Sequence, residues 1–415
     1  IILDAADGII TSTAGTSNVK LGDNAGNSIQ SGGDFNIVIG DEAGTAITTG
    51  DSNIAIGHGA GDALTTGTKN VAVGHLALST EDTHGFNVAV GFEALKDLNA
   101  GQEGYHTAVG YLAGTSMTTA FANTFIGGLA GDALTEGNNN VGVGVLALST
   151  ETKGAKSVGV GYGALSTQNT TSASDIYNVG VGYLAGGNIT TGSLNTLVGG
   201  LSGDALTTGI TNVALGYGSL TSDTAGNRST AIGYNTLQNQ NFSSSTDSYN
   251  TAVGFQAGIS VTTGDENTLI GALAGDALVD ADHNVAVGYQ ALTSDTKGFR
   301  TTAIGRLAGH TQNFTSPTDS NNVYVGYRAG VDATTGVRNT IVGSLGAEEL
   351  TTADDSVAVG YLALGGNAGA ATTGHDNVCI GSSAGSALTI GASNVFVGKD
   401  AGDTTTQASR NICIG

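Results

Sequence analysis

Apolar residues along this chain come as short triplets, each opened by a polar residue and closed by glycine. NIAIGHGAG from Asn53, NVAVGHLAL from Asn70 and NVAVGYQAL from Asn284 are examples. The unit N-[VIT]-x-[VIL]-G-x-x-A-[GL] occurs 23 times, and its dominant spacing is 17 residues. Its second position is always Val, Ile or Thr and its fourth always Val, Ile or Leu. Two such residues at i and i+2 share one face of a strand, and β-branched side chains favour that conformation. Gly at the fifth position in all 23 copies predicts a turn that no Cβ tolerates. Each unit therefore predicts a short strand, a corner, a second segment around the Ala of position eight, and a polar return.

Such units cannot bury their apolar face alone, so they must stack. The prediction is an all-β fold, a parallel β-solenoid of about 17 residues per coil. Its core is thin, with the Val/Ile pair facing Ala across a flattened roll. The 22 steps between 23 units, at about 4.8 Å each, predict a rod on the order of 105 Å long. Three 17-residue steps and one of 21 make a 72-residue super-repeat, marked by LAGDAL at Leu129, LSGDAL at Leu201 and LAGDAL at Leu273. Residues 1–17 read as a lead-in and 18–415 as one continuous repeat domain.

Position three lies on the strand face opposite the Val/Ile pair, yet it is apolar or Gly in 22 units and charged only at Lys20. A strand apolar on both faces is normally covered on both. The expectation is that Phe125, Leu197, Leu269 and Ile341, with the small fillers Cys379 and Cys413, form a subunit interface in a homotrimer or homodimer. The two cysteines stand two coils apart, roughly 10 Å, beyond disulfide reach in one chain. Asn opens 18 of the 23 units, which predicts a hydrogen-bonded ladder at a turn. Position six holds eight of the twelve tyrosines. Such a row covers a corner or interface, or grips sugars. His58 and His75 occupy the same position in consecutive coils, as surface histidines or, if they faced a symmetry axis, as metal ligands.

Charge narrows the partners. With 13 basic and 35 acidic residues the formal charge is -22, which disfavours nucleic acid and anionic lipid. No apolar run reaches membrane-spanning length. The absence of Met at Ile1 and of a signal-peptide pattern leads us to expect a fragment or processed product. The 68 glycines lack collagen's strict period, and 12% charged residues is too few for a disordered chain. Asp62, Asp132, Asp204 and Asp276 in the GDAL segments are too isolated for a calcium roll, which leaves calcium at some acidic loops as an alternative. No motif joins a nucleophile to a base, and no insertion is large enough to build a two-carboxylate sugar cleft. Neither an enzyme nor a cofactor is expected.

The four extra residues of each 21-residue unit fall in one place, giving QNTTSASDIYN from Gln168, QNQNFSSSTDSYN from Gln238 and TQNFTSPTDSNN from Thr311. Loops rich in amides and hydroxyls on a rigid scaffold are candidate receptor contacts. We single out Asn169, Asp175, Asn241, Asp247, Asn313 and Asp319. The alternative is that these loops are solvated bulges.

The NVAVGxxAL and NTLIGxLAG units resemble the head repeats of trimeric autotransporter adhesins and, with their longer coil and GDALTTG-type returns, the repetitive shafts of marine bacteriophage tail fibres. The resemblance covers roughly residues 18–415. It implies a left-handed β-roll, three chains, and a virion-tail or extracellular, cell-surface fibre that meets a host glycan or protein receptor and, in a virion, other tail proteins. The adhesins' membrane anchor and coiled-coil stalk have no counterpart here, and tail fibres of this kind often carry a C-terminal chaperone domain that is cut off. The leading expectation is a non-catalytic phage tail fibre, the alternative a bacterial surface adhesin, and the third a polysaccharide depolymerase.

Overall fold

The computed structural model describes residues 14–365 and 370–415. Among them there is no helix, and so none long and apolar enough to cross a membrane. The chain forms two compact units, divided between Thr208 and Gly209. Both are parallel β-solenoids. The first stacks eleven three-residue strands from Val19–Leu21 to Thr196–Val198, the second twelve from Val213–Leu215 to Ile412–Ile414. Residues 1–13 of the expected lead-in lie outside the described part, whereas Thr16 already accepts a hydrogen bond from Phe35 of the first coil. Pairing sets like on like, as in Ile54 on Val71, Ala55 on Ala72 and Ile56 on Val73.

The strand faces are reversed from the expectation above. Position three points into the coil: Phe125, Leu197, Leu269, Ile341 and Cys379 are fully buried within their own chain. Positions two and four, the Val/Ile pair, are the half-exposed ones, as in Ile54 and Ile56 beside buried Ala55. Phe125, Leu197, Leu269, Ile341 and Cys379 are therefore core residues and not subunit contacts. Cys413, in the last strand, is exposed, and both cysteines are free. Size decides the polarity. The space behind the strand is closed by Ala at position eight and by position nine, and it admits anything from Gly to Tyr only because neighbouring positions compensate.

That compensation is visible in the glycines. A Cβ on Gly131, position nine of the Phe125 coil, would lie 2.4 Å from the Phe125 ring, and one on Gly142 of the next coil 2.7 Å from it. At the other two position-three glycines, Gly159 and Gly180, a leucine at position nine of the preceding coil fills the space, and a Cβ there would meet Leu148 at 3.3 Å and Leu165 at 2.9 Å. Position nine is left-handed whichever residue it holds, with φ of 52° at Leu78 and 57° at Gly61. Glycine is thus there for room rather than for conformation. Position five is different. Gly91 has φ of 142°, and a Cβ on it would sit 2.2 Å from the Gly110 carbonyl oxygen of the next coil. Backbone angle and the close approach of the next coil both demand glycine.

The position-one column closes the coils. Asn53 donates through Nδ2 to the Gly67 carbonyl of its own coil at 2.8 Å, and its Oδ1 accepts the Asn70 backbone N–H at 3.0 Å. One side chain thus fastens its coil shut and ties it to the next. The predicted ladder exists, built largely from amide-to-backbone bonds. His106 takes the same place, with Nε2 2.9 Å from the Ala120 carbonyl and Nδ1 accepting the Asn123 N–H at 3.2 Å. Burial pushes its imidazole down to about 4.

Candidate binding edge and exposed strand face

The three long turns from Gln168, Gln238 and Thr311 are each built on a buried carboxylate of the coil before. Asp295 accepts the backbone N–H groups of Gly298 and Phe314 at 3.0 and 3.1 Å and the Gln312 side-chain amide at 2.5 Å. Gln312 also donates to Thr301 Oγ1 and accepts from Asn322, which fills the gap left where Thr301 replaces the usual Asn. Asp223 with Gln240, and Glu151 with Gln168, repeat the arrangement. Burial raises the Asp223 and Asp295 carboxyls above their ordinary value, against the opposing pull of these hydrogen bonds. Nothing in the sequence reading singled out these residues. The signal was there, as an acid at position twelve followed by Gln at position twelve of the next coil.

From this base the turn runs out and folds back. Ser174–Asp175 pairs with Gly154–Ala155, Thr246–Asp247 with Gly226–Asn227, and Thr318–Asp319 with Gly298–Phe299. Ile176, Phe242 and Phe314 are buried beneath. The turns are clipped to the preceding coil rather than free bulges. Asn169, Asn241 and Asn313 are exposed at the outgoing end, and each Oδ1 accepts a threonine hydroxyl of the coil before, Thr152, Thr224 and Thr296. Asp175, Asp247 and Asp319 are exposed at the returning end, paired with Lys156, Arg228 and Arg300. The Lys156 ammonium holds the Asp175 carboxyl below its usual range. Tyr177 and Tyr249 complete two of the three clusters, with the cation over the ring at 5.2 and 5.5 Å. Each predicted Asn and Asp is thus tied to a different partner, and the pair is not gathered into one site. A shallow groove of about 420 Å³ beside the first turn is lined by Glu136, Asn138, Lys153, Ser174 and Asp175.

Two further surfaces accompany this edge. Positions two and four leave a half-exposed, uncharged sheet face of Val, Ile, Leu and Thr, and beside it position six carries stretches of exposed rings. His58, His75, Phe92 and Tyr111 stack in succession at 5.3, 5.0 and 5.6 Å, so the two histidines do lie together, within an aromatic stack. Tyr217, Tyr234 and Phe255 stack at 5.7 and 5.5 Å. Rings stacked on both faces offer a sugar only their edges.

Two further ionisable clusters occur among the described residues. The Thr83 hydroxyl and the Glu81 carboxylate both face Nδ1 of His84, each at 3.2 Å, so the three cannot relay a proton through opposite ring nitrogens. Acid and histidine ligand atoms converge at Glu81, Asp82 and His84 and at Asp265, Asp282 and His283, neither of which includes a GDAL aspartate. In comparison with known proteins, no family model matches the chain and no curated protein matches it.

Proposed function

We propose that this chain is a non-catalytic structural shaft of an attachment fibre, a bacteriophage tail fibre in the leading reading, built as a left-handed β-roll homotrimer. The observation that carries it is the sheet face. In a protein of net charge -22, no charged residue occurs at position two or four of any of the 23 units, and these positions stand half-exposed side by side in strand after strand. An uncharged face of this extent, with Val, Ile or Leu at every position four and Val, Ile or Thr at every position two, calls for a cover. Its period is the strand spacing, so the surface best matched to it is the same face of another copy. The interface expected of position three is thereby reassigned to positions two and four. The clipped turns, with their Asn, Asp and Tyr side chains outermost, are the surface such a fibre would present to a host glycan or protein.

Sedimentation equilibrium of the full chain tests this reading, with three chain masses expected. A monomer at micromolar concentration would overturn it. Replacing Ile54, Val71 and Val88 by Lys, on the face but outside the core, should dissociate the assembly while leaving the far-ultraviolet spectrum unchanged. A bacterial surface adhesin of the same fold is the second reading, and imaging of the native particle separates the two.

A further inference from the structure

The position-six column has gaps, and they recur. The residues there are Gly128, Gly200, Ala272 and Ser344, 72 residues apart, in coils otherwise flanked mainly by aromatic rings. Backbone geometry does not require these small residues. A Cβ on Gly128 would meet nothing nearer than 4.0 Å. The coils keep their pairing through the gaps, with Leu273 N to Phe255 O at 2.9 Å and Gln290 N to Ala272 O at 3.0 Å. Only the ring is missing. Phe255 and Tyr289 therefore face each other across Ala272, and Tyr327 and Tyr361 across Ser344, each pair two strand spacings apart, about 10 Å.

One rung of the same column shows what fits between two such rings. Arg306 occupies position six between Tyr289 and Tyr327, its guanidinium 5.7 Å from each ring centroid and its Nη1 3.4 Å from the Tyr327 hydroxyl. A planar cation stacks on an aromatic face more favourably than a neutral group does, and guanidinium does so better than ammonium. A surface of charge -22 adds long-range attraction for a cation.

We propose that the gaps at Ala272 and Ser344 are binding slots for arginine side chains of a partner protein, each guanidinium taking the place that Arg306 fills from within. The two slots are four coils apart, about 19 Å. An extended peptide with arginines six residues apart spans the same distance, about 20 Å. The inference goes beyond the fibre reading and does not depend on it, since the slots belong to a single chain.

The test is an NMR titration of the full chain, ring-labelled at tyrosine, with N-acetyl-arginine amide, N-acetyl-lysine amide and a panel of methyl pyranosides. Saturable shifts of the Tyr289, Tyr327 and Tyr361 signals are expected with the arginine probe in the millimolar range, and weaker ones with lysine. A peptide carrying two arginines six residues apart should bind about tenfold or more tighter than the single residue. Ala272→Tyr with Ser344→Tyr closes the slots with rings and should abolish the response. Ala272→Arg should abolish it at Tyr289 by supplying the cation from the chain, which covers the case in which the tyrosine variant fails to fold. Absence of saturation in the wild-type chain, shifts with pyranosides but not arginine, or binding that survives slot closure would each overturn the proposal.

Discussion

His106 offers a sharp test of how the coils are fastened. It stands in the asparagine column, 1% exposed, and works there only as a neutral ring, because one nitrogen must donate to Ala120 while the other accepts from Asn123. Burial lowers its pKa from 6.5 to about 4. A base whose folded value is depressed binds its proton more readily in the unfolded chain. Its contribution is therefore fully present above 6.5 and is lost as pH falls from there to about 4. A shift of that size corresponds to about 3 kcal/mol. His106→Asn restores the amide that 18 other units carry at this position and should remove this loss while leaving stability near neutral pH little changed. In a repeat protein a single melting temperature averages over many coils, so the suitable readout is hydrogen exchange of the Thr107–Val109 amides. Between neutral pH and pH 4, protection in the wild type relative to His106→Asn should fall by about 150-fold. Equal pH dependence in the two proteins would refute both the neutral-imidazole assignment and the view that column side chains hold adjacent coils.

Three further outcomes are expected. The Tyr324 hydroxyl is fully buried without a protein hydrogen-bond partner. Tyr324→Phe should therefore stabilise its coils by about 1–3 kcal/mol, read as slower exchange of the Val323–Val325 amides. Gly91→Ala should cost about 3 kcal/mol or more, because it meets both the backbone angle and the Gly110 carbonyl; proteolysis near residue 91 would report it. Asp295→Asn sets an amide donor against the Gln312 amide and should loosen the turn from Gln312 to Asn322 by about 1–3 kcal/mol. The raised carboxyl pKa at Asp223 and Asp295 has the opposite sign to His106. Their contribution is greatest below the ordinary value of 3.8 and is lost as pH rises through the elevated one, so comparison of Asp295→Asn with wild type should show the gap narrowing as pH rises.

The coil was legible because its period is carried by residues with few alternatives. Gly91 and its counterparts admit no side chain, and Asn53 and its counterparts complete two hydrogen bonds that few other residues can. The orientation of the strand was not legible. Val-Ala-Val presents β-branched residues on one face and alanine on the other, and patterning alone assigns the larger pair to the interior. Here the interior is so narrow that Ala55 or Ala72 fits and a continuous Val/Ile column would not, unless glycine clears space as it does around Phe125. Rank by size misleads when the core is one small residue deep. The long turns were found from their length and composition, but the side chains that shape them were not. Glu151, Asp223 and Asp295 look like ordinary loop acids until the coil folds and their glutamine partners arrive from the next turn.

The matching of position three to position nine has a further consequence for how the chain finds its own alignment. Identical strands stacked in parallel invite slippage, since any triplet pairs with any other. Moving Phe125 one coil forward, over position nine of the next coil, would drive it into Leu148, and moving Gly180 out of place would leave the Leu165 side chain without its pocket. The core thus acts as a lock whose bulky teeth Phe125, Leu197, Leu269 and Ile341 recur 72 residues apart. Around Phe125 and Gly180, misalignment by one coil is rejected by volume. A jump of a whole block sets these teeth like on like again, so among the coils that carry them the errors most open to the folding chain come in steps of four.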